Sequence, residues 1–561
     1  MAKKANIIFL LLILIGGWLR AIDLWRGVDG TVRESWRECD IAAVARNFYQ
    51  EDMNILYPRI DWRGNGPGYA EMEFPVFPWM IALGYKVFGF HEVIGRVLAF
   101  IFSLATLFAF FKLARYLLSE SGAILASLFF VLSPLTIRIA NSLQPEGLML
   151  FALVLAVYGF IRWLDEDKTK WFVLAMLATA VAVLAKVNSL HIGILFLILL
   201  INKKGFAFIR DFRMWLFALV ALAPAALWYV HAHQLWLTFG NSLGVSNEYH
   251  WAGLDLFTDP RMILGVLKIE MLFVWMPLGV VVAAFAFKDR EYRRSVLIAV
   301  YWLISVFIYY LAAARTTGDD WAIYYHVVSV PAEALLLGTG FSALQRLFGN
   351  AKMLYLSLLG VLGISLFIIL LREFADVLFP MPKAASIAVV CAGGFALLAV
   401  LAGRAANHRR LFSVNGAVTF FVLFALFSTF LFQSFRISKD MHPQTMQGKY
   451  RCALAFKSFI PQDALIVVSG GNRLDESGYP VAYNAPYMFY WLERKGFNIA
   501  REDQSVTMLK KLVALGADYF VAEKEMLAFA PQFRSALLQN FNLIKECDEA
   551  YLFYLHNGVA E

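Results

Sequence analysis

The sequence predicts a multi-pass α-helical membrane protein of about thirteen spans, with a long charged loop near its start and a small α/β domain at its end. Three observations predict this. Of 561 residues, 60% are hydrophobic and only 16% charged, with a mean hydropathy of +0.62; a soluble surface carries closer to a quarter charged residues. Apolar runs recur at close to the ~20 residues that a helix needs to cross a bilayer. Basic residues, which give a net charge of +8, sit in short clusters between these runs. That is the footprint of membrane topology and not of a nucleic-acid surface.

In order, the spans fall at 5–22, 91–117, 121–138, 147–163, 170–186, 188–202, 213–232, 263–287, 294–313, 325–345, 353–372, 384–403 and 414–433. The first follows Lys3 and Lys4, lacks a small-residue cleavage site and reads as a retained anchor. With the N-terminus in the cytoplasm, the inner loops carry Lys112, Arg115, Lys168, Lys170, Lys203, Lys204, Arg293, Arg294 and Arg409. The outer loops carry chiefly Arg138, Arg261, Arg315 and Lys383, as the positive-inside rule requires. An odd number of spans then sets the loop 23–90, and everything after about 435, on the outer (periplasmic) face of a plasma or inner membrane. The domains expected are 1–435, membrane-embedded and catalytic, and 436–561, outside.

The loop from Trp36 to Trp79 is far longer and more charged than a connector needs to be. Ile41, Val44, Ala45 and Phe48 recur at helical spacing, which predicts an amphipathic helix from Asp40 to Gln50 lying flat on the membrane. Asp40 opens that helix, either as an N-cap or as a functional carboxylate. Gly64-Asn65-Gly66-Pro67-Gly68 reads as a turn, since no strand precedes it and Pro67 removes a donor. Glu73-Phe74-Pro75-Val76-Phe77-Pro78-Trp79 then re-enters the interface.

Pro134 breaks the third span, and Pro145 starts the fourth. Glu146 falls in its first turn, on the same outer surface as Asp40 and Glu73. An ionisable group at membrane depth costs about 2.5–3.5 kcal/mol at the helix centre and marks function, although a helix-start carboxylate is the plainer reading here. Lys186 interrupts two apolar runs and can either meet an anion or snorkel to the interface. Arg315 offers a planar fork to phosphate oxygens or serves as a topological anchor, and Tyr325 and His326 follow as hydrogen-bond donors. The aromatic and His-rich loop 234–262 frames a lipid entrance, and Asp165-Glu166-Asp167 reads as a solvated inner loop.

This pattern resembles the GT-C membrane glycosyltransferases: an Asp opening the loop helix, Glu73-x-Pro75, and a Pro-flanked acidic residue at the fourth span. It is most similar to the lipid A aminoarabinose transferases and the protein O-mannosyltransferase-like group. The resemblance covers roughly residues 10–345. Where that group typically reads Tyr-x-Glu-Lys-Pro-Pro, this chain has Phe74 in place of the Lys, and Glu146 stands where Asp is usual. The resemblance implies transfer of a sugar from a polyprenyl phosphate to an acceptor hydroxyl of lipid A, another glycolipid, a glycan or a protein. It implies Asp40 and Glu146 as catalytic residues, with Asp40 the base. Arg138, Lys186, Arg315, Tyr325 and His326 would meet the phosphate. Glu73 and Glu146 would hold a divalent cation, magnesium or manganese, with zinc also compatible. The alternative is a transporter or flippase of lipid-linked glycans. Transporters, however, gather ionisable groups at mid-membrane in repeated halves. The Trp-Trp-Asp signature of oligosaccharide transfer is absent.

After 435 the composition changes. Strand-like Ala464–Val468 and Asp518–Ala522 flank a helix-like Val506–Leu515, predicting the α/β domain. Its Gly470-Gly471 lacks a dinucleotide fingerprint. Cys452 and Cys547 lie near its two ends, and outside the membrane a disulfide between them is permitted.

Overall fold

The structure is a computed structural model that describes residues 2–22, 24–31, 35–244, 250–347, 444–476 and 478–556. Helix α1 (Ala2–Ala21) leads into α2 (Ser35–Gln50) and α3 (Val76–Phe88). The membrane body follows as α4 (Val93–Leu117), α5 (Glu120–Leu132), α6 (Pro134–Ala140), α7 (Glu146–Glu166), α8 (Thr169–Ala185), α9 (Ile192–Lys204) and α10 (Phe212–Phe239). It continues through α11 (Leu254–Phe257), α12 (Pro260–Ile269), α13 (Met276–Ala286), α14 (Arg293–Ala312), α15 (Ala314–Thr317) and α16 (Val330–Leu347). Among the described residues five helical stretches are long and apolar enough to cross a membrane, or up to seven if each of two bent pairs is one span. The expected spans at 353–372, 384–403 and 414–433 lie outside the described residues.

The helices break where their sequence gives cause. Between α5 and α6 the axis bends by 56°, because Pro134 has no N–H to continue the ladder. The carbonyl of Val131 freed there accepts from Arg20 Nη1 at 2.9 Å, and Arg20 also donates to Thr136 Oγ1 at 2.7 Å and Ser103 Oγ at 2.9 Å. One buried guanidinium thus ties α1 and α4 to the bend. The second break lies at Lys186, whose backbone is extended between α8 and a 3₁₀ turn at Val187–His191. The third is a 63° bend between the 3₁₀ segment Asp320–Val328 and α16. Irregular backbone at membrane depth is tolerated only inside protein or along a cavity. The second and third breaks supply Lys186 and Tyr325 to one place, described below.

The C-terminal part begins with α17 (Gln444–Lys457) and is built on a sheet of β1 (Leu465–Ser469), β2 (Lys495–Ile499), β3 (Ala517–Glu523), β4 (Asn542–Glu546) and β5 (Ala550–Tyr554). The strand order is β2-β1-β3-β5-β4; β1 runs parallel to β2 and β3, whereas β5 is antiparallel to both its neighbours. Helix α18 (Pro486–Leu492) precedes β2. Cys452 and Cys547 are disulfide-bonded across 95 residues of chain, with Cα atoms 5.7 Å apart. Closing a loop of that length stabilises the folded state by about 4–5 kcal/mol in the chain-entropy account. Cys452→Ser with Cys547→Ser is therefore expected to lower the melting temperature of this part by roughly 10 °C or more, measured against untreated and reduced wild type; an unchanged midpoint would show the crosslink to be redundant.

Helix α2 differs from expectation in two ways. It starts at Ser35, so Asp40 lies in its second turn and is not an N-cap. It also does not lie flat on a membrane, because both faces are covered. Ile41, Val44, Ala45 and Phe48 pack with Phe77, Ile81, Ala82 and Tyr85 of α3. Cys39, Ala42 and Ala43 pack with Phe456, Phe489, Leu492 and Leu552 of the C-terminal part. Small residues on this second face let the C-terminal layer approach closely.

Candidate active site

Four charged side chains from four elements meet beside a cavity of about 540 Å³. Arg37 of α2 donates through Nη2 to Glu73 Oε1 at 2.9 Å and lies 3.7 Å from Glu146 Oε1. Lys186 forms an ion pair with that same Glu146 oxygen. The Lys186 ammonium sits over the rings of Tyr324 (4.9 Å) and Tyr325 (4.6 Å), and the Arg37 guanidinium lies 5.4 Å from the Tyr324 ring. Arg37, Glu73, Lys186 and Tyr325 line the cavity, whose other walls are largely apolar. Leu243, Gly244 and Trp251, which fall between α10 and α11, also line it.

Each charge is placed by packing that the sequence dictates. Arg96 of α4 holds Glu38 through two bonds of 3.1 Å, and Glu38 Oε1 accepts from the Leu143 N–H at 3.0 Å. The residue before Glu38 on α2 is Arg37, which this clamp turns toward the cavity. Glu146 heads α7 directly after Pro145, and Lys186 stands at the helix break. Glu71 pairs with Ser242 in an isolated bridge, and its Oε2 accepts from Ser242 Oγ at 2.8 Å; the same bridge brings Leu243 to the cavity. Phe74, at the position where the resembled group has Lys, packs edge-on against Trp228 at 5.1 Å and contributes no charge.

Asp40 lies one turn beyond Arg37 on α2, buried at 7% exposure. Its Oδ1 accepts from Trp62 Nε1 at 3.0 Å. Trp62 follows Asp61, which is clamped by Arg46 at 2.5 Å and Asn47 at 2.9 Å. Burial pushes the Asp40 carboxyl up to about 7, outweighing the Trp62 hydrogen bond and the Arg37 charge. Glu73 goes the other way. Burial would raise it, but the Arg37 and Lys186 charges hold it below the usual carboxylate range. Two neighbouring carboxylates are thereby driven apart, one toward a proton-accepting range and one toward permanent charge.

Of the residues expected from sequence, the structure brings Glu73, Glu146, Lys186 and Tyr325 together. Asp40 adjoins them without lining the cavity. Arg138 is buried in α6 outside the cavity lining. Arg315 pairs with Asp475 at 2.6 Å and stacks over Tyr479, so it joins the C-terminal part instead of the cavity. His326 is fully buried, with Nδ1 2.7 Å from Glu270 Oε1 and Nε2 2.8 Å from the Thr317 carbonyl. Arg37 is the member that sequence reasoning did not single out. Its signal was its place in the same charged helix, three residues before Asp40.

The divalent cation expected at Glu73 and Glu146 finds no fitting donor set. Glu73 already faces Arg37, and Glu146 faces Lys186. Among the described residues no group of three His, Cys, Asp or Glu converges.

Comparisons with known proteins bear on the fold. The family model for dolichyl-phosphate-mannose-protein mannosyltransferase matches residues 72–230. An uncharacterized protein of Aquifex aeolicus is 31% identical over 132 residues, a match spanning 23% of this chain and only 26% of that protein. ArnT from Cupriavidus metallidurans in the apo state superposes with a TM-score of 0.65 at 15% identity, covering 99% of this chain and 98% of that one. The same protein bound to undecaprenyl phosphate gives 0.64 over the full length of both chains. The oligosaccharyltransferase of Archaeoglobus fulgidus gives 0.52 at 12% identity, covering 98% of this chain and 74% of that one. In fold this chain is similar to ArnT and to the archaeal oligosaccharyltransferase, and its segment 72–230 is similar to the dolichyl-phosphate-mannose-protein mannosyltransferase family.

Proposed function

We propose that the chain transfers a sugar from a polyprenyl-phosphate donor to an acceptor hydroxyl at the outer face of the membrane. The observation that carries this is the Arg37–Glu73–Glu146–Lys186 group beside a largely apolar cavity. An apolar cleft with two cations at one end suits a lipid phosphate, the tail in the apolar part and the anion at the charges. The ArnT structure with undecaprenyl phosphate and the disulfide-bonded C-terminal part both support the reading, the latter because such bonds persist in oxidising compartments.

In this reading the acceptor oxygen forms a bond to the anomeric carbon as the bond from that carbon to the phosphate oxygen breaks. The acceptor proton passes to the Asp40 carboxylate, which general-base chemistry requires to be ionised. Negative charge builds on the departing phosphate, and Arg37 and Lys186 meet it in fixed positions, where preorganised charge is most effective. Glu73 and Glu146 hold those cations in place. Trp62 fixes the base.

The test is purified protein with undecaprenyl-phosphate-linked sugars and a panel of lipid A, glycan and peptide acceptors, read out by product mass. Transfer is expected, with kcat/KM rising as pH passes through about 7 and level above it, because Asp40 must lose its proton. Movement of intact donor across vesicles without bond cleavage would favour a transporter instead and overturn the proposal.

A further inference from the structure

One wall of the cavity differs in chemistry from the charged end. It is formed by Asn188 and His191, both on the 3₁₀ turn Val187–His191 and both cavity-lining. His191 Nδ1 lies 2.7 Å from the Asn188 backbone oxygen. A carbonyl only accepts, so Nδ1 carries the hydrogen and Nε2 of the neutral ring is left as an acceptor. That Nε2 is buried and has no hydrogen-bond partner. The Asn188 amide donates through Nδ2 to Tyr309 Oη at 3.4 Å, which leaves Oδ1 as an acceptor, also buried and without a partner. Buried acceptors are ordinarily satisfied, so two on one short turn beside a cavity call for an explanation.

Resting on the proposal above, we infer that Asn188 and His191 form the sugar-recognising wall of the donor site, and that they select a neutral sugar through its hydroxyl groups. A phosphate offers only acceptors, which these atoms repel, so the phosphate belongs at Arg37 and Lys186 and the sugar at this turn. Hydroxyl donors satisfy both atoms. A sugar ammonium would also donate, but the wall holds no carboxylate. Among the described lining residues the one carboxylate is Glu73, already paired with Arg37. An ammonium there would be desolvated without a counter-charge. The 3₁₀ turn directly follows Lys186, so the phosphate-binding cation and the sugar wall are joined in one segment. Their spacing is set by backbone, not by loop motion.

The test measures binding of four probes to the full-length protein: undecaprenyl phosphate alone and the same lipid phosphate carrying mannose, glucose or aminoarabinose. Wild type is expected to bind at least one hexosyl lipid about tenfold or more tighter than the bare lipid, and the aminoarabinosyl lipid without such a gain. His191→Phe and Asn188→Leu should each reduce the gain to within about threefold, with bare-lipid affinity unchanged. That unchanged affinity also shows the variants to be folded. Equal loss of bare and sugar-bearing lipid would make the turn structural and overturn the inference. So would an undiminished gain in both variants, or a gain confined to the aminoarabinosyl lipid. If wild type binds none of the four, the lipid-donor reading itself falls and takes the wall with it, an outcome distinct from normal lipid binding without a sugar preference.

Discussion

Asp40→Asn should cut transfer by about 100-fold or more and, above neutral pH, make the protein more heat-stable. The side chain is buried, its carboxyl raised from 3.8 to about 7, with burial the largest cause. The sign follows from that direction. A carboxyl raised in the folded state contributes stability that is fully present below its unfolded pKa and is lost as pH rises through the folded one. By pH 8 the folded protein therefore holds an ionised carboxylate in a poorly solvated place. At about 1.4 kcal/mol per pKa unit the cost is on the order of a few kcal/mol. Asn retains an oxygen for Trp62 Nε1 and carries no charge, so the cost disappears. Turnover should fall about 10²–10⁴-fold, the range of a lost general base. Melting curves at pH 5 and pH 8 alongside initial rates decide it. A variant that keeps most of its activity would remove Asp40 from the chemistry. A variant that is inactive but gains no stability at pH 8 would mean that the carboxylate is better solvated than its 7% exposure indicates.

Lys186→Met should be the most destabilising single change at the site. Glu146 is 1% exposed, and its Oε2 has no hydrogen-bond partner even with Lys186 present. Removing the ammonium leaves only Arg37 at 3.7 Å as a partner among the described cations, itself occupied by Glu73. Breaking one side of a buried pair typically costs about 3–5 kcal/mol. The double variant Lys186→Met/Glu146→Gln removes both charges and should regain most of the lost thermal stability. It should not regain transfer, since the departing phosphate has lost a cation. Recovery of activity in the double variant would show that Lys186 serves only to neutralise Glu146. Failure to recover stability would place the damage in packing over Tyr324 and Tyr325.

The features that sequence reasoning reached were those carried by a single side chain in an improbable place. Glu146 after Pro145 and Lys186 inside an apolar run stood out because charge at membrane depth needs a cause, and both sit at the cavity. Pro134 likewise marked a real bend. The features it missed depend on three-dimensional neighbours. Nothing in the periodicity of α2 distinguishes a helix lying on lipid from one covered on both faces, since Cys39, Ala42 and Ala43 are small enough to read either way. The resemblance implies His326 as a phosphate ligand together with Tyr325, yet adjacent residues on a tight helical turn point in different directions. The one faces Lys186, and the other faces Glu270. Arg315 was expected at the lipid phosphate for its exposed fork, and its partner Asp475 lies 160 residues away in sequence.

The double coverage of α2 bears on how the protein matures. Arg37 and Asp40 sit near the start of the chain, whereas one face of their helix is closed by Phe456, Phe489, Leu492 and Leu552. Those residues follow Arg37 and Asp40 by more than 400 residues of chain. During synthesis α2 therefore waits, half-wrapped, until the segment that carries Leu552 has emerged and the Cys452–Cys547 bond can form. A chain that stalls before Phe456 would lack the layer that closes this face of α2. Under the proposed function, a partly made chain would therefore hold Arg37 and Asp40 less firmly than the finished one.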